Sequence, residues 1–276
     1  MIITFVVQGV TVGAYAARLA GVETGRIATS ISLFNLFGTF GRLANIFASI
    51  TVGPMADHAG AVAALFFGAR RYLELAGLQG SFEWQLRLII FSGTIGMIVF
   101  SLFLPMFIYM FRRGVASFEK RGSIPHSLFR LADFGVLTDV VRANRFPTLS
   151  RIRQFSIARL PARMLIFNIV ITAVYSIGVV ASYYASVLDP LSARTALGLS
   201  GIINGIGTVS FTLFVDPTSS MITDEAVRGA RPIADVRSMV FYLAVTAIIG
   251  TLVSQIIFWP SAKLIEIIAH FFTHIR

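Results

Sequence analysis

The chain has 276 residues, 56% of them hydrophobic and 13% charged, with a mean hydropathy of +0.80. Soluble domains run nearer 45–50% apolar and about 25% charged, so this composition excludes an ordinary soluble enzyme and points to an all-α polytopic membrane protein. With no cysteine there is no disulfide framework or thiolate metal site, and a net charge of +10 on such a chain reports topology rather than nucleic-acid binding.

The first apolar segment, 1–17, contains an Ala14-x-Ala16 sequence but no basic leader, so it reads as a span rather than a cleaved signal. Thr4, Gln8, Thr11, Tyr15 and Arg18 fall at helical spacing along one face. A tight connection, Arg18 to Arg26, leads into the second span, 27–52. There Asn35, Gly38, Arg42, Asn45 and Ser49 share one narrow face, opposite Leu33, Phe37, Phe40 and Phe47. A cation within the hydrocarbon costs at least about 2.5–3.5 kcal/mol, so Arg42 must look at protein, water or an anion.

Gly53-Pro54 is expected to end this span, and 61–78 reads as an amphipathic helix at the interface. The third span is 88–111, with a kink expected at Pro105. Residues 112–163 carry 11 Lys/Arg against three acidic residues, the pattern of a cytoplasmic loop anchored on anionic lipid headgroups. The fourth span, 164–188, presents Asn168, Thr172, Tyr175, Ser182 and Ser186 in a polar stripe. The fifth, 195–215, repeats Gly198, Gly201, Gly205, Thr208 and Thr212, and such glycines predict close approach of a neighbouring helix. Asp216-Pro217 is expected to break it, and a sixth span, 238–259, to stop at Pro260 before an amphipathic tail.

Residues 1–276 therefore read as a single transmembrane domain of six helices with short interfacial helices beside them. Placing 112–163 in the cytoplasm puts 16 Lys/Arg inside and 6 outside, which predicts both termini outside.

Chemistry is sparse. The four histidines, His58, His126, His270 and His274, show no metal-ligand spacing, and no P-loop is present. Gly201 to Gly207 lies within a span without a preceding strand, and Arg231-Pro232 resembles only a fragment of a lipid-phosphatase signature. No catalytic constellation assembles, so neither enzyme activity nor a cofactor or metal is expected. Four polar stripes, two of them bearing arginine, instead suggest an internal groove lined by the first, second, fourth and fifth spans. Arginine's planar fork suits phosphate, and Arg18 and Arg42 would form a staged anionic path. The other reading pairs Arg42 with a carboxylate, of which Glu23, Asp57 and Asp216 are the candidates for coupling or ion pairing.

The run YAARLAGVETGRIATSISLFNLF (Tyr15 to Phe37), continued by GRLAN (Gly41 to Asn45), resembles the Amj family of alternate lipid II flippases. FVDP (Phe214 to Pro217) and TDEAVRGARP (Thr223 to Pro232) are similar to that family's segment between its fifth and sixth spans. One departure is the absence of any acidic residue from 1–17, where family members tend to carry one. The resemblance implies transfer of the undecaprenyl-diphosphate-linked peptidoglycan precursor, lipid II, across the bacterial cytoplasmic membrane. On that reading Arg18 and Arg26 would collect the diphosphate, and Arg42, Asn35 and Asn45 would hold it in transit. Two other classes stand beside it. A secondary transporter of another anionic or lipid-linked substrate would need a closed midplane pocket, and an envelope-assembly scaffold would use the stripes as helix interfaces, as in a homodimer.

Overall fold

A computed structural model of the chain describes residues 1–121 and 149–274, with the side chains of 36–38, 40–49, 119–121, 149 and 151 left aside. No strand occurs among the described residues. The helices are α1 (Ile2–Thr24), α2 (Ile27–Gly68), α3 (Tyr72–Leu102), α4 (Leu104–Arg121), the short α5 (Leu149–Ile152), α6 (Ala162–Leu188), α7 (Ala193–Ser210), α8 (Asp216–Val227) and α9 (Ile233–His274). A 3₁₀ turn, Pro190–Ser192, precedes α7, and a π turn, Phe211–Val215, joins α7 to α8. Among the described residues, six stretches are long and apolar enough to cross a membrane: Ile2–Thr24, Ile50–Gly68, Tyr72–Leu102, Ala162–Leu188, Pro190–Val227 and Ile233–His274. The protein is thus a multi-pass all-α membrane protein.

Glycine shapes the α1–α2 hairpin. Gly25 takes the left-handed conformation at φ 69°, and Arg26 N–H reaches back to Gly21 O at 2.9 Å, closing the end of α1. A Cβ on Gly21 would come within 2.9 Å of Ile27 Cα, so the two helices meet almost backbone to backbone there. Buried Ser30 Oγ donates to Ala17 O at 2.6 Å and stitches the hairpin further.

The expectations at Pro54, Pro105 and Pro260 change. Helix α2 continues through Pro54 to Gly68, because Val52, Ala56, Ala59 and Ala63 bury a face against Phe82, Leu86, Ala181 and Phe258. Tertiary burial there outweighs the lost backbone hydrogen bond. The segment 61–78 is consequently the end of α2, a turn at 69–71 and the start of α3, rather than one interfacial helix. Helix α9 likewise passes through Pro260, with Phe258, Ala262, Ile265 and Ala269 buried on one side. At Pro105 the reverse holds. The expected kink is a break at Phe103, so that Pro105 falls in the first turn of α4, where its missing N–H is tolerated. Each 42-residue helix, α2 and α9, is about 63 Å long, roughly twice the hydrocarbon thickness.

The core has two storeys. Toward the 69–71 turn, α2, α3, α6 and α9 share one apolar cluster. Toward the Gly25 turn, α1, α6, α8 and α9 share another, with α2 and α4 closing a smaller one on α1. Several buried polar groups are satisfied across helices. Asn168, wholly buried, accepts from Tyr15 OH at 3.2 Å and donates to Leu243 O at 3.0 Å and Thr246 Oγ1 at 2.8 Å, tying α1, α6 and α9 together. Arg87 donates to Glu83 at 2.8 Å and to Gln255 O at 2.6 Å, while Glu83 accepts from Tyr184 OH at 3.2 Å. At the α6–α7 turn, burial raises the Asp189 pKa, but hydrogen bonds from Ser192, His270 and Leu191 N–H outweigh it and hold the carboxyl below its usual range.

Asn168→Ala would orphan Tyr15 OH in this network and is expected to cost about 1–3 kcal/mol of stability. Thermal unfolding of the purified variant in detergent checks it, and an unchanged midpoint would refute the assigned role.

Candidate functional site

The polar stripe of α1 faces a cavity of about 590 Å³. Gln8, Thr11, Tyr15 and Arg18 form its floor, spaced so that successive side chains share one helical face. Helix α2 contributes Phe34 and Asn35, α6 contributes Thr172 and Tyr175, and α7 with the π turn contributes Thr208, Phe211 and Thr212. Asp216 and Ser220 of α8 complete the wall. Tyr15 is buried, whereas Asn35, Thr208, Thr212 and Ser220 are exposed, so the floor lies on α1 and the mouth toward α2, α7 and α8.

The π turn explains where Asp216 sits. Pro217 has no N–H, and its ring would clash with the carbonyl of Leu213 in a regular helix. The chain absorbs this by widening over Phe211–Val215 and continuing as α8, so the expected break is a bulge within one long helical passage. Asp216 thereby faces α1. One terminal nitrogen of Arg18 donates to the Asp216 carboxylate and the other to Ser219 Oγ. Ser219 is itself fixed by donating to Val215 O at 2.8 Å.

The other expected site residues are scattered. Asn35 lines the cavity at its rim. Arg26 is exposed at the α1–α2 turn, away from the lining. Arg42 and Asn45 lie on α2, with their side chains outside the described residues. Of the carboxylates considered as partners for Arg42, Asp216 is engaged by Arg18, and Glu23 receives Arg237 at 2.9 Å and Arg112 at 3.5 Å. Asp57 is exposed on α2 and does not line the cavity. Arg231 serves the α8–α9 turn, pairing with Glu225 at 2.7 Å beside Gly229 at φ 75°.

The glycine row of α7 behaves differently from its expectation. A Cβ on Gly198, Gly201 or Gly205 would meet nothing within 4 Å among the described residues. Close approaches occur instead at Gly96 against Phe5, Gly178 against Asn204 and Gly250 against Ile169. Sequence reasoning missed Ser219, Ser220 and Phe211 at the site. An Asp-Pro step inside an otherwise continuous apolar passage was the available signal for the bulge that brings them in.

Chemically, the cavity offers hydroxyls, amides and one guanidinium paired with one carboxylate in a mostly apolar wall, and among the described residues it holds no cluster of metal-ligating side chains. It suits reversible shelter of a polar, anionic group better than bond-breaking.

The comparisons agree with the resemblance seen in the sequence. The family model described as "Amj: Alternate to MurJ" matches residues 3–269. "Lipid II flippase Amj" of Bacillus subtilis (strain 168) is 31% identical over 261 residues, which cover 94% of this chain and 91% of that protein. No solved structure matches. A match over nearly the whole length, on an all-helical six-span architecture, means that this chain belongs to the Amj family.

Proposed function

We propose that the protein flips lipid II from the inner to the outer leaflet of the bacterial cytoplasmic membrane. The observation that carries this reading is the cavity with Arg18 and a row of polar side chains in its wall, in a chain whose Bacillus subtilis relative is named a lipid II flippase. The diphosphate and sugars would shelter in the cavity while the polyprenyl tail stays among the lipids beside α2 and α7. Arg18 and Arg26 collect the diphosphate near the Gly25 turn, which the basic-loop bias puts on the cytoplasmic side, with both termini outside. Asn35 at the rim, with Arg42 and Asn45 further along α2, holds the headgroup in transit. The basic 112–163 stretch rests on anionic lipid. An inside-negative potential, worth about 2.3 kcal/mol per charge per 100 mV, drives the anionic headgroup outward. The work is transport, with no bond made or broken.

The test is access of an externally added, membrane-impermeant probe to lipid II in cells relying on this protein alone. Labelling is expected while the protein is present and should vanish on its depletion; labelling that persists unchanged would exclude the function. In the same cells, Arg42→Ala at normal protein level is expected to slow growth severely and Arg42→Lys to rescue partly. Full growth of Arg42→Ala would remove that residue from the path.

A further inference from the structure

Arg18 and Asp216 are the two charged side chains lining the cavity among the described residues, and they pair with each other. Their setting differs from that of the other ion pairs at the same end. The Glu23 carboxylate is 14% exposed and shared by two arginines of α4 and α9, a knot between helices. Arg231 is gripped by Glu225 and lies 3.8 Å from Asp235. Asp216 holds Arg18 through one carboxylate oxygen, as Glu225 holds Arg231, but Asp216 lines the large cavity and Glu225 does not, and the Asp216 side chain is 36% exposed. The Arg18 side chain is only 15% exposed, so a lone guanidinium there would be poorly solvated.

Building on the headgroup reading above, we infer that Asp216 is an internal stand-in for the substrate's diphosphate, occupying Arg18 while the cavity is empty and yielding it to an incoming isoprenoid-linked diphosphate. The guanidinium has five N–H donors, and Asp216 and Ser219 take one each, so three donors of the fork remain on a residue that lines the cavity. A diphosphate brings more negative charge and can grip that fork through two oxygens, against the single oxygen of Asp216. Two anions cannot share one cation cheaply in a low-dielectric wall, so the stronger acceptor displaces the weaker. The π turn immediately before Asp216 supplies the slack, since its hydrogen-bond ladder is already irregular at Phe211–Val215. When the headgroup leaves, Asp216 returns and neutralises Arg18, which speeds release. Asp216 thus sets affinity by competition.

The experiment measures binding of farnesyl diphosphate, with farnesol as control, to the purified full chain in detergent. Asp216→Asn is expected to bind farnesyl diphosphate about tenfold more tightly than the parent, because the competing anion is gone. Asp216→Glu should bind as the parent does, and Arg18→Gln weakly whatever stands at 216. Unchanged or weaker binding by Asp216→Asn, with Arg18→Gln still defective, would overturn the stand-in role and leave the headgroup reading standing. Parent-like binding by Arg18→Gln would instead remove Arg18 from the headgroup reading, and the exchange with it. Should Asp216→Asn fail to give monodisperse protein, Asp216→Ser carries the same expectation.

Discussion

Arg18→Gln is expected to abolish growth of cells that depend on this protein, and the loss should survive repair of the protein's stability. The single substitution does two things at once. It removes the cavity's guanidinium, and it leaves Asp216 without its cation in a partly buried position. The stability cost lies between the roughly 0–1 kcal/mol of an exposed pair and the roughly 3–5 kcal/mol of breaking a buried one. A lower protein level would then mimic lost transport. Arg18→Gln with Asp216→Asn separates the effects, because a neutral pair can still hydrogen-bond to each other and to Ser219 while no charge is stranded. The double variant should recover folded protein, read by monodispersity and thermal midpoint, and still fail to support growth or probe labelling of lipid II. Arg18→Lys should be intermediate, keeping the charge but losing the fork. Full growth of the double variant would show that Arg18 acts only through folding.

The contrast between Arg18 and Arg42 bears on how much of the site was legible in the sequence. Helical spacing was enough to gather Thr11, Tyr15 and Arg18 on one face, and Thr208 with Thr212 on another, and those faces meet at the cavity. Periodicity works here because a polar side chain in an apolar helix has few tolerable directions. Partner choice was not legible. Asp216 was one of three carboxylates considered for Arg42, and nothing local in the sequence tells that a π turn swings it toward Arg18 some 198 positions away in the chain. Proline was overread for a related reason. Pro54, Pro217 and Pro260 each looked like a stop, yet the helical course continues past all three, since flanking side chains bury enough surface to hold it. Asn168 shows the opposite limit, a stripe residue whose hydrogen bonds bind helices together rather than line the cavity.

Gly96→Ala is expected to cost the protein most of its folded yield, while Gly201→Ala leaves it intact or improves it. A methyl on Gly96 would sit 2.4 Å from Phe5 O and 2.9 Å from Phe5 Cα, both backbone atoms that move only if α1 and α3 separate. Separation would also disturb the neighbouring contacts of Gly93 with Gln8 and of Gly9 with the Phe100 ring, because all lie along one α1–α3 seam. Overpacking of this kind costs about 1–3 kcal/mol when side chains can yield, and a backbone clash sits at or above the top of that range. At Gly201 nothing lies within 4 Å among the described residues, so alanine adds only helix propensity, worth up to about 1 kcal/mol. Helix packing in lipid relies on such close approaches, since apolar burial alone gives no preference for protein over lipid tails. The pair of variants therefore asks which glycines hold the bundle together, and size-exclusion yield with thermal midpoint in detergent gives the answer. Equal losses at 96 and 201 would mean that the α7 glycine row packs against a surface after all, and that the α1–α3 seam has more room than its geometry allows.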